Sequence, residues 1–224
     1  MIRLPAAILA VMLSSSPLPG HGAAAACEVA LALTVDVSGS IDAAEYRLQM
    51  DGLAAALADA AVAEALVRAK ARLALIQWSG TTRQDVTIPW ADMADFAAVT
   101  DFARQVAAAQ RPWRHFSTAI GDVLHLAGGL FADVACARHV IDVSGDGASN
   151  EGTEPRDLRK ALAAAGVTVN ALAILGATEQ DLPGYFRENV ITGPHAFVYV
   201  AKDYADYPRA IRRKLLDELT EPVS

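Results

Sequence analysis

The chain has 224 residues, of which 19 are Lys or Arg and 26 are Asp or Glu, so its formal net charge is −7. An acidic protein is a poor candidate for nucleic-acid binding, which selects basic surfaces. The length suits one well-buried domain behind a leader and is short for two domains of ordinary size.

The first 26 residues have the pattern of a secretory signal peptide. Residues 1–3 carry one positive charge, residues 4–13 are apolar, and residues 17–26 end in small residues of the Ala-x-Ala type. The apolar stretch is too short to span a bilayer. We expect a signal peptide at 1–26, cleavage before Cys27, and a secreted protein, periplasmic or extracellular, without a transmembrane segment. Because Arg3 is the only charged residue in the leader, the mature charge becomes −8.

The rest of the sequence alternates between strand patterns and helix patterns. In chain order it predicts a strand at 28–36, a helix from 42, strands at 72–79 and 85–90, helices at 91–109 and 119–131, a strand at 138–144, a helix at 154–165, a strand at 167–175, a helix at 179–189, a strand at 196–200 and a helix at 203–219.

The short turn after residue 79 determines how the next strand pairs. A parallel pairing needs a crossover of about a dozen residues or more, so 72–79 and 85–90 must form an antiparallel hairpin. The other strands are separated by helices, which predicts parallel pairing with helices on both faces. The predicted fold class is α/β, with a doubly wound, mostly parallel six-stranded sheet and one antiparallel edge strand.

The first motif with chemical content is Asp36-Val37-Ser38-Gly39-Ser40. It follows an apolar run, so a carboxylate and two hydroxyls lie at the carboxyl end of a strand, where open α/β sheets bind ligands. These hard oxygen donors suit Mg²⁺, Mn²⁺ or Ca²⁺ rather than zinc or copper. Ser and Asp are also ordinary helix-capping residues, and a cap is the alternative.

Two later segments complete a larger pattern. Residues 138–147 form another β-branched run that ends in a Gly-flanked Asp, and a Ser-Thr pair opens a helix between the two motifs. The order Asp-x-Ser-x-Ser, then Thr, then a strand-end Asp resembles the metal-ion-dependent adhesion site of von Willebrand factor type A domains. The resemblance implies five metal ligands, which are Asp36, Ser38, Ser40, Thr118 and Asp146. Ser117 is an alternative hydroxyl donor to Thr118.

A closer resemblance rests on longer runs and covers about residues 28 to 219. The runs are Leu-Thr-Val-Asp-Val-Ser-Gly-Ser, Ile-Gln-Trp-Ser-Gly, Val-Ile-Asp-Val-Ser-Gly-Asp-Gly and Val-Asn-Ala-Leu-Ala-Ile-Leu-Gly. They are similar to a proteobacterial family of secreted von Willebrand A-like proteins of unknown function. This likeness implies a single domain of that Rossmann-like fold at 27–224, and it does not identify a partner.

The resemblance also bears on the two cysteines. Cys27 lies nine residues before Asp36, and Cys136 lies ten before Asp146. In the von Willebrand A fold the two strands that carry these aspartates are neighbours, which implies a Cys27–Cys136 disulfide in an oxidising compartment. Lipidation of Cys27 is the alternative, although the Leu expected three positions upstream is replaced by Ala24.

The implied site favours binding over catalysis. A cation held mainly by neutral hydroxyls and water keeps much of its positive charge and attracts a carboxylate from another protein. The expected function is a secreted, metal-dependent protein-binding module that is not an enzyme. Mg²⁺ is the preferred cation, with Mn²⁺ or Ca²⁺ as alternatives, and the partner is a protein that presents an Asp or Glu.

Three side chains beside the predicted metal loop form a possible ligand rim, namely Trp113, His115 and Phe116. Burial of the two aromatic residues is the alternative. A metal-dependent hydrolase of the cell envelope that uses His115 is the alternative function, although no Gly-x-Ser-x-Gly elbow and no second positioned acid or base is evident. A structural domain with a vestigial site is a third interpretation.

Overall fold

The computed structural model describes residues 27–176 and 181–220. These residues form six strands, which are β1 (Val29–Asp36), β2 (Arg72–Trp78), β3 (Gln84–Asp92), β4 (Arg138–Gly145), β5 (Val167–Ile174) and β6 (Val198–Ala201). They also form seven helices, which are α1 (Ala43–Leu57), α2 (Ala60–Arg68), α3 (Phe96–Ala108), α4 (Ile120–Gly129), α5 (Pro155–Ala164), α6 (Leu182–Asn189) and α7 (Tyr207–Thr220).

The strands form one sheet in the order β3-β2-β1-β4-β5-β6. The β2–β3 pair is antiparallel, and the other four neighbouring pairs are parallel. The predicted fold class is therefore confirmed, including the antiparallel strand at one edge. Every residue of β1 is buried, as expected for a central parallel strand covered on both faces.

Each face of the sheet has its own apolar core. Leu31 and Leu33 of β1 point to the face covered by α1, α2, α3 and α7. Ala30 and Ala32 point to the opposite face, which α4, α5 and α6 cover. Successive residues of a strand face opposite sides, so the unbroken apolar sequence of β1 supplies both cores.

The helices depart from the sequence prediction in several places, among them α7, which was predicted from 203 and begins at Tyr207. Helix α2 was not predicted; the side chain of Asp59 accepts hydrogen bonds from Ala61 N and Val62 N and starts it as a separate helix. The helix predicted at 91–109 begins only at Phe96, because residues 91 and 92 still pair with β2 and Asp95 provides the N-cap. The predicted signal peptide and the start of the helix predicted at 179–189 lie outside the described residues.

The predicted disulfide between Cys27 and Cys136 is present, with their Cα atoms 4.7 Å apart. Each cysteine precedes one of the paired central strands, and Ala137 N donates a hydrogen bond to Cys27 O at 3.1 Å. A sulfur in a disulfide cannot also carry a lipid thioether, so the bond argues against the lipidation alternative. Among the described helices, none combines the length and apolarity needed to cross a membrane.

A buried ionic cluster lies between the sheet and α7. Lys214 is fully buried and forms ion pairs with Asp142 at 2.7 Å and with Glu218 at 2.6 Å. Asn170 donates a second hydrogen bond to Glu218 Oε1, whereas Glu218 Oε2 has no hydrogen-bond partner among the described residues. Burial, aided by the charge of Asp142, raises the pKa of Glu218 to about 8. The free Oε2 is thus the position for a proton on Glu218.

The first prediction concerns the disulfide. The pair Cys27→Ser with Cys136→Ser should lower the free energy of unfolding by up to about 4–5 kcal/mol, because the bond closes a loop of about 110 residues in the unfolded chain. Denaturant unfolding of the oxidised wild type and the double variant measures the difference. Equal stability, or two free thiols in the intact mass of the native protein, would contradict it.

The second prediction concerns pH. Because the pKa of Glu218 in the folded protein exceeds its ordinary value of 4.5, the native state binds more protons than the unfolded chain between the two values. The free energy of unfolding should therefore fall as pH rises from about 4.5 to 8, by at most about 1.4 kcal/mol per pH unit for one proton. The variant Glu218→Gln should show a shallower slope in denaturant unfolding with chelator present. If the pH dependence of the unfolding free energy is the same in Glu218→Gln as in the wild type, the raised pKa does not belong to Glu218.

Candidate metal centre

The turn after β1 is held by a side chain from α1 and a side chain from the loop after α3. Gln49 of α1, which is fully buried, donates from Nε2 to Asp36 O at 2.9 Å. Arg111, after α3, donates from Nη2 to Val37 O at 2.9 Å and to Ser38 O at 2.7 Å. The backbone carbonyls of Asp36, Val37 and Ser38 thus all accept hydrogen bonds from buried or half-buried side chains. These bonds hold the backbone of the turn in place.

The structure brings together both ends of the predicted ligand set. Ser40 Oγ donates to Asp146 Oδ1 at 2.7 Å, so the turn after β1 meets the residue that follows β4. The hydroxyl oxygens of Ser38 and Ser40 are 3.3 Å apart. Asp36 Oδ1 accepts a hydrogen bond from Ser38 N at 2.7 Å.

The loop before α4 carries Thr118, which is buried. Its backbone N donates to Asn150 Oδ1 at 2.9 Å, and its carbonyl accepts from Asn150 N at 2.9 Å. The preceding residues lie directly on the turn after β1, since Gly39 N donates to Phe116 O at 2.8 Å. A Cβ at Gly39 would lie 3.1 Å from that oxygen and 3.2 Å from the Cα of His115, so a side chain there would press against the backbone of the loop.

These segments surround a surface cavity of about 480 Å³, lined by Gly39, Ser40, His115, Phe116, Ser117, Thr118 and Asn150. His115 and Phe116 of the predicted rim line it, and both are exposed. Phe116 is also covered by Arg83, whose guanidinium carbon lies 3.7 Å from the ring centroid, a cation–π contact. Trp113 is half-buried and packs against the core of α1, α3 and α7 instead.

The two aspartates differ in environment. Asp36 is fully buried, whereas Asp146 is half-buried. Burial, followed by the negative charge of Asp146, raises the pKa of Asp36 to about 7, and the hydrogen bond from Ser38 opposes that shift. Burial and the charges of both aspartates also raise the pKa of the buried Tyr204 phenol.

The residues present fit a hard divalent cation. Asp36 Oδ2 is buried and has no hydrogen-bond partner among the described residues, and an uncompensated buried carboxylate oxygen is costly. No group of three or more His, Cys, Asp and Glu side chains within 27–176 and 181–220 could hold a metal. A cation at this edge would thus rely on hydroxyl oxygens of Ser38, Ser40 and Thr118 as well as on the two carboxylates.

Sequence reasoning missed the residues that support the turn. Gln49 lies three positions after Tyr46 and so shares the inward face of α1, a signal that the sequence did contain. Arg111 and Tyr204 carry no such signal, because their contacts depend on how α3 and the segment before α7 meet the sheet.

Comparison with solved structures shows the fold of von Willebrand factor type A domains. A structure of proximal thread matrix protein 1 from the mussel byssus with a zinc-occupied MIDAS motif is 18% identical and matches 85% of this chain and 48% of its own, with a TM-score of 0.61. A von Willebrand factor type A structure from Catenulispora acidiphila is 20% identical and matches 88% and 44%, with a TM-score of 0.63.

The pilus adhesin SpaC from Lactobacillus rhamnosus GG is a third similar structure, at 13% identity, with 86% of this chain and 31% of that chain matched and a TM-score of 0.62. This chain thus spans less than half the length of each of these three proteins. No curated protein matches it. The family described as "Protein of unknown function (DUF1194)" matches residues 26–223, and the chain belongs to that family.

Proposed function

We propose that this protein is a secreted, metal-dependent protein-binding module of the adhesion type, acting in the periplasm or outside the cell. Asp36, Ser38, Ser40, Thr118 and Asp146 would hold the cation. The observation that carries the proposal is the hydrogen bond between Ser40 and Asp146, in the same turn region as the unpartnered buried oxygen of Asp36. It joins hydroxyl and carboxylate oxygens from separate strands around one buried carboxylate.

A divalent cation held there would supply positive charge and an open position for an anionic oxygen. Ser40 and Thr118 both line the surface cavity, so a partner side chain that enters it can reach the proposed ligands. We propose Mg²⁺ as the cation, with Mn²⁺ or Ca²⁺ as alternatives, and an Asp or Glu carboxylate of a partner protein as the ligand. The zinc reported in the MIDAS motif of the byssus protein adds Zn²⁺ to the ions worth testing.

The proposed module is not an enzyme. The hydrolase alternative would need a base oriented toward a bound water. His115 is the one histidine that lines the described cavity, and no described residue forms a hydrogen bond with its imidazole. Nothing within the described residues therefore favours catalysis over binding at this site.

The third prediction tests the metal. Metal-stripped protein should bind one divalent cation, with Mg²⁺ or Mn²⁺ preferred to Ca²⁺, because small octahedral ions suit hydroxyl and water ligands whereas Ca²⁺ draws on more carboxylate oxygens. The pair Ser38→Ala with Ser40→Ala should abolish binding in calorimetric titrations with each ion. Binding that persists unchanged in this double variant would exclude the site.

The same titration shows whether Thr118 or Ser117, in the loop before α4, provides the hydroxyl that binds the cation. Thr118→Ala should weaken Mg²⁺ binding at least tenfold, while Ser117→Ala should leave it near the wild-type value. The opposite result would make Ser117 the donor. Thr100→Ala, on the exposed surface of α3, is a control for the loss of a hydroxyl far from the site.

The fourth prediction links the site to function. Asp146→Ala should abolish Mg²⁺-dependent capture of partner proteins from the native envelope fraction while the domain remains folded. Its unfolding free energy without metal should change by less than about 1 kcal/mol, because the loss of one exposed hydrogen bond offsets the relief of repulsion with Asp36. Capture assays and thermal melts, each with Mg²⁺ and with chelator, measure both effects.

Two controls accompany this variant. Asp146→Asn keeps an acceptor for Ser40 but removes the charge, so it should fold like the wild type and still fail to capture. Asp101→Ala removes an exposed carboxylate on α3 and should capture normally. A folded Asp146→Ala protein that retains full capture would refute the adhesion-site interpretation.

A further inference from the structure

A second, smaller cavity of about 240 Å³ lies next to the candidate metal centre. It is formed where the start of α1 meets the segment after α3, and its polar lining residues are Tyr46, Arg47, Gln110, Arg111 and Arg114. Three of these five are arginines, and none of the residues that line the cavity is acidic. The cavity is therefore a concentration of positive charge on a protein whose net charge is −7.

Two of the arginines form no direct ion pair within the described residues, although the charge of Asp36 attracts Arg111 at longer range. Arg47 forms an ion pair with Asp51. Among the described residues, no carboxylate forms an ion pair with Arg111 or Arg114. Burial, and after it the charge of Arg114, lowers the pKa of Arg111, and the charge of Asp36 opposes that shift.

The acidic residues at the start of α1 form no ion pair with these arginines. The side chain of Asp42 accepts hydrogen bonds from Ala44 N and Glu45 N, and Glu45 accepts one from Asp42 N. Both carboxylates are thus engaged with the backbone of the helix cap. Within the described ranges, neither Arg111 nor Arg114 therefore has a carboxylate in direct contact.

The cationic cavity has a fixed position relative to the metal centre. The Arg111 guanidinium is bonded to the carbonyls of Val37 and Ser38, which belong to the same turn as the Ser38 and Ser40 hydroxyls. Arg114 is exposed and directly precedes His115, which lines the metal cavity. One ligand segment can therefore lie across both cavities.

We infer that Arg114 and Arg111 form a second anion-binding subsite, and that the partner segment carries two acidic side chains, one for the metal and one for these arginines. The inference rests on the proposed function and specifies its partner. A partner with a single carboxylate would leave the arginine pair uncompensated. A second carboxylate would gain charge-assisted hydrogen bonds with guanidinium groups.

The test uses terminally blocked Gly/Ser peptides. One peptide contains a single Glu, and a series contains Glu and Asp separated by one to four Gly residues. In calorimetric titrations with Mg²⁺, at least one diacidic peptide should bind about fivefold or more tightly than the single-Glu peptide. This ratio should fall toward one in Arg114→Gln and should shrink at high salt. Arg156→Gln, an equal charge change on α5, should retain the wild-type ratio.

The outcomes separate this inference from the proposed function. Mg²⁺-dependent binding of both peptide types with equal affinity would overturn the second subsite and leave the metal-centre proposal standing. Diacidic binding that depends on Arg114 but persists in chelator would support the subsite and count against the metal role. If neither peptide type binds in Mg²⁺, both proposals fail.

Discussion

The parallel pairing of β1 with β4 is the constraint on which the rest of the molecule depends. The pairing joins Val29 to Arg138 and Val35 to Ser144, and the disulfide joins residues that are 109 apart, the same offset as each strand pair. The register of β1 against β4 therefore determines which residues meet at both ends of this strand pair. It places two cysteines together at one edge and two aspartates together at the other. A slip of one residue would turn every side chain of β1 to the opposite face.

The candidate site concentrates unfavourable electrostatics that the fold holds in place. A buried carboxylate lies beside a second one, and two arginines lie close together a few residues away. Such arrangements persist only where the surrounding structure over-determines them, as the bonds from Gln49 and Arg111 to the turn do here. An ion or ligand of opposite sign would relieve the repulsion between like charges held together within one chain, and this is the physical argument for the recognition proposed at this edge.

The sequence predicted most of the sheet because its signals are local. A run of apolar residues that ends in Asp36 or Asp146 marks a buried strand and its tip, and the short turn at residue 80 permits only a hairpin. The helix boundaries depend on single capping residues within Ala-rich stretches. For this reason the start of α2, which Asp59 caps, was not predicted. Ala favours helix at every position, so an Ala-rich stretch does not show where one helix ends and the next begins.

The proximity of the proposed ligands was predictable from the sequence, and the residues that support their turn were not. Asp36, Ser38 and Ser40 are adjacent in the sequence, so their proximity follows from one turn. Helix packing and the path of the loop before α4 determine the positions of Arg111, Arg114 and Tyr204. Tertiary contacts of this kind produce no periodic pattern in the amino-acid sequence. The packing of Trp113 against the core likewise depends on which helices meet there.

The position of the disulfide has a consequence for how the chain matures. The chain contains two cysteines, so oxidation within one molecule has a single possible product, and no shuffling among alternative pairings is needed. The first cysteine must nevertheless wait as a free thiol until the second emerges 109 residues later. During that interval the competing reaction is a bond to another molecule. Correct oxidation therefore depends on the order in which the chain emerges, and a delay before β4 is the step at which covalent dimers would form.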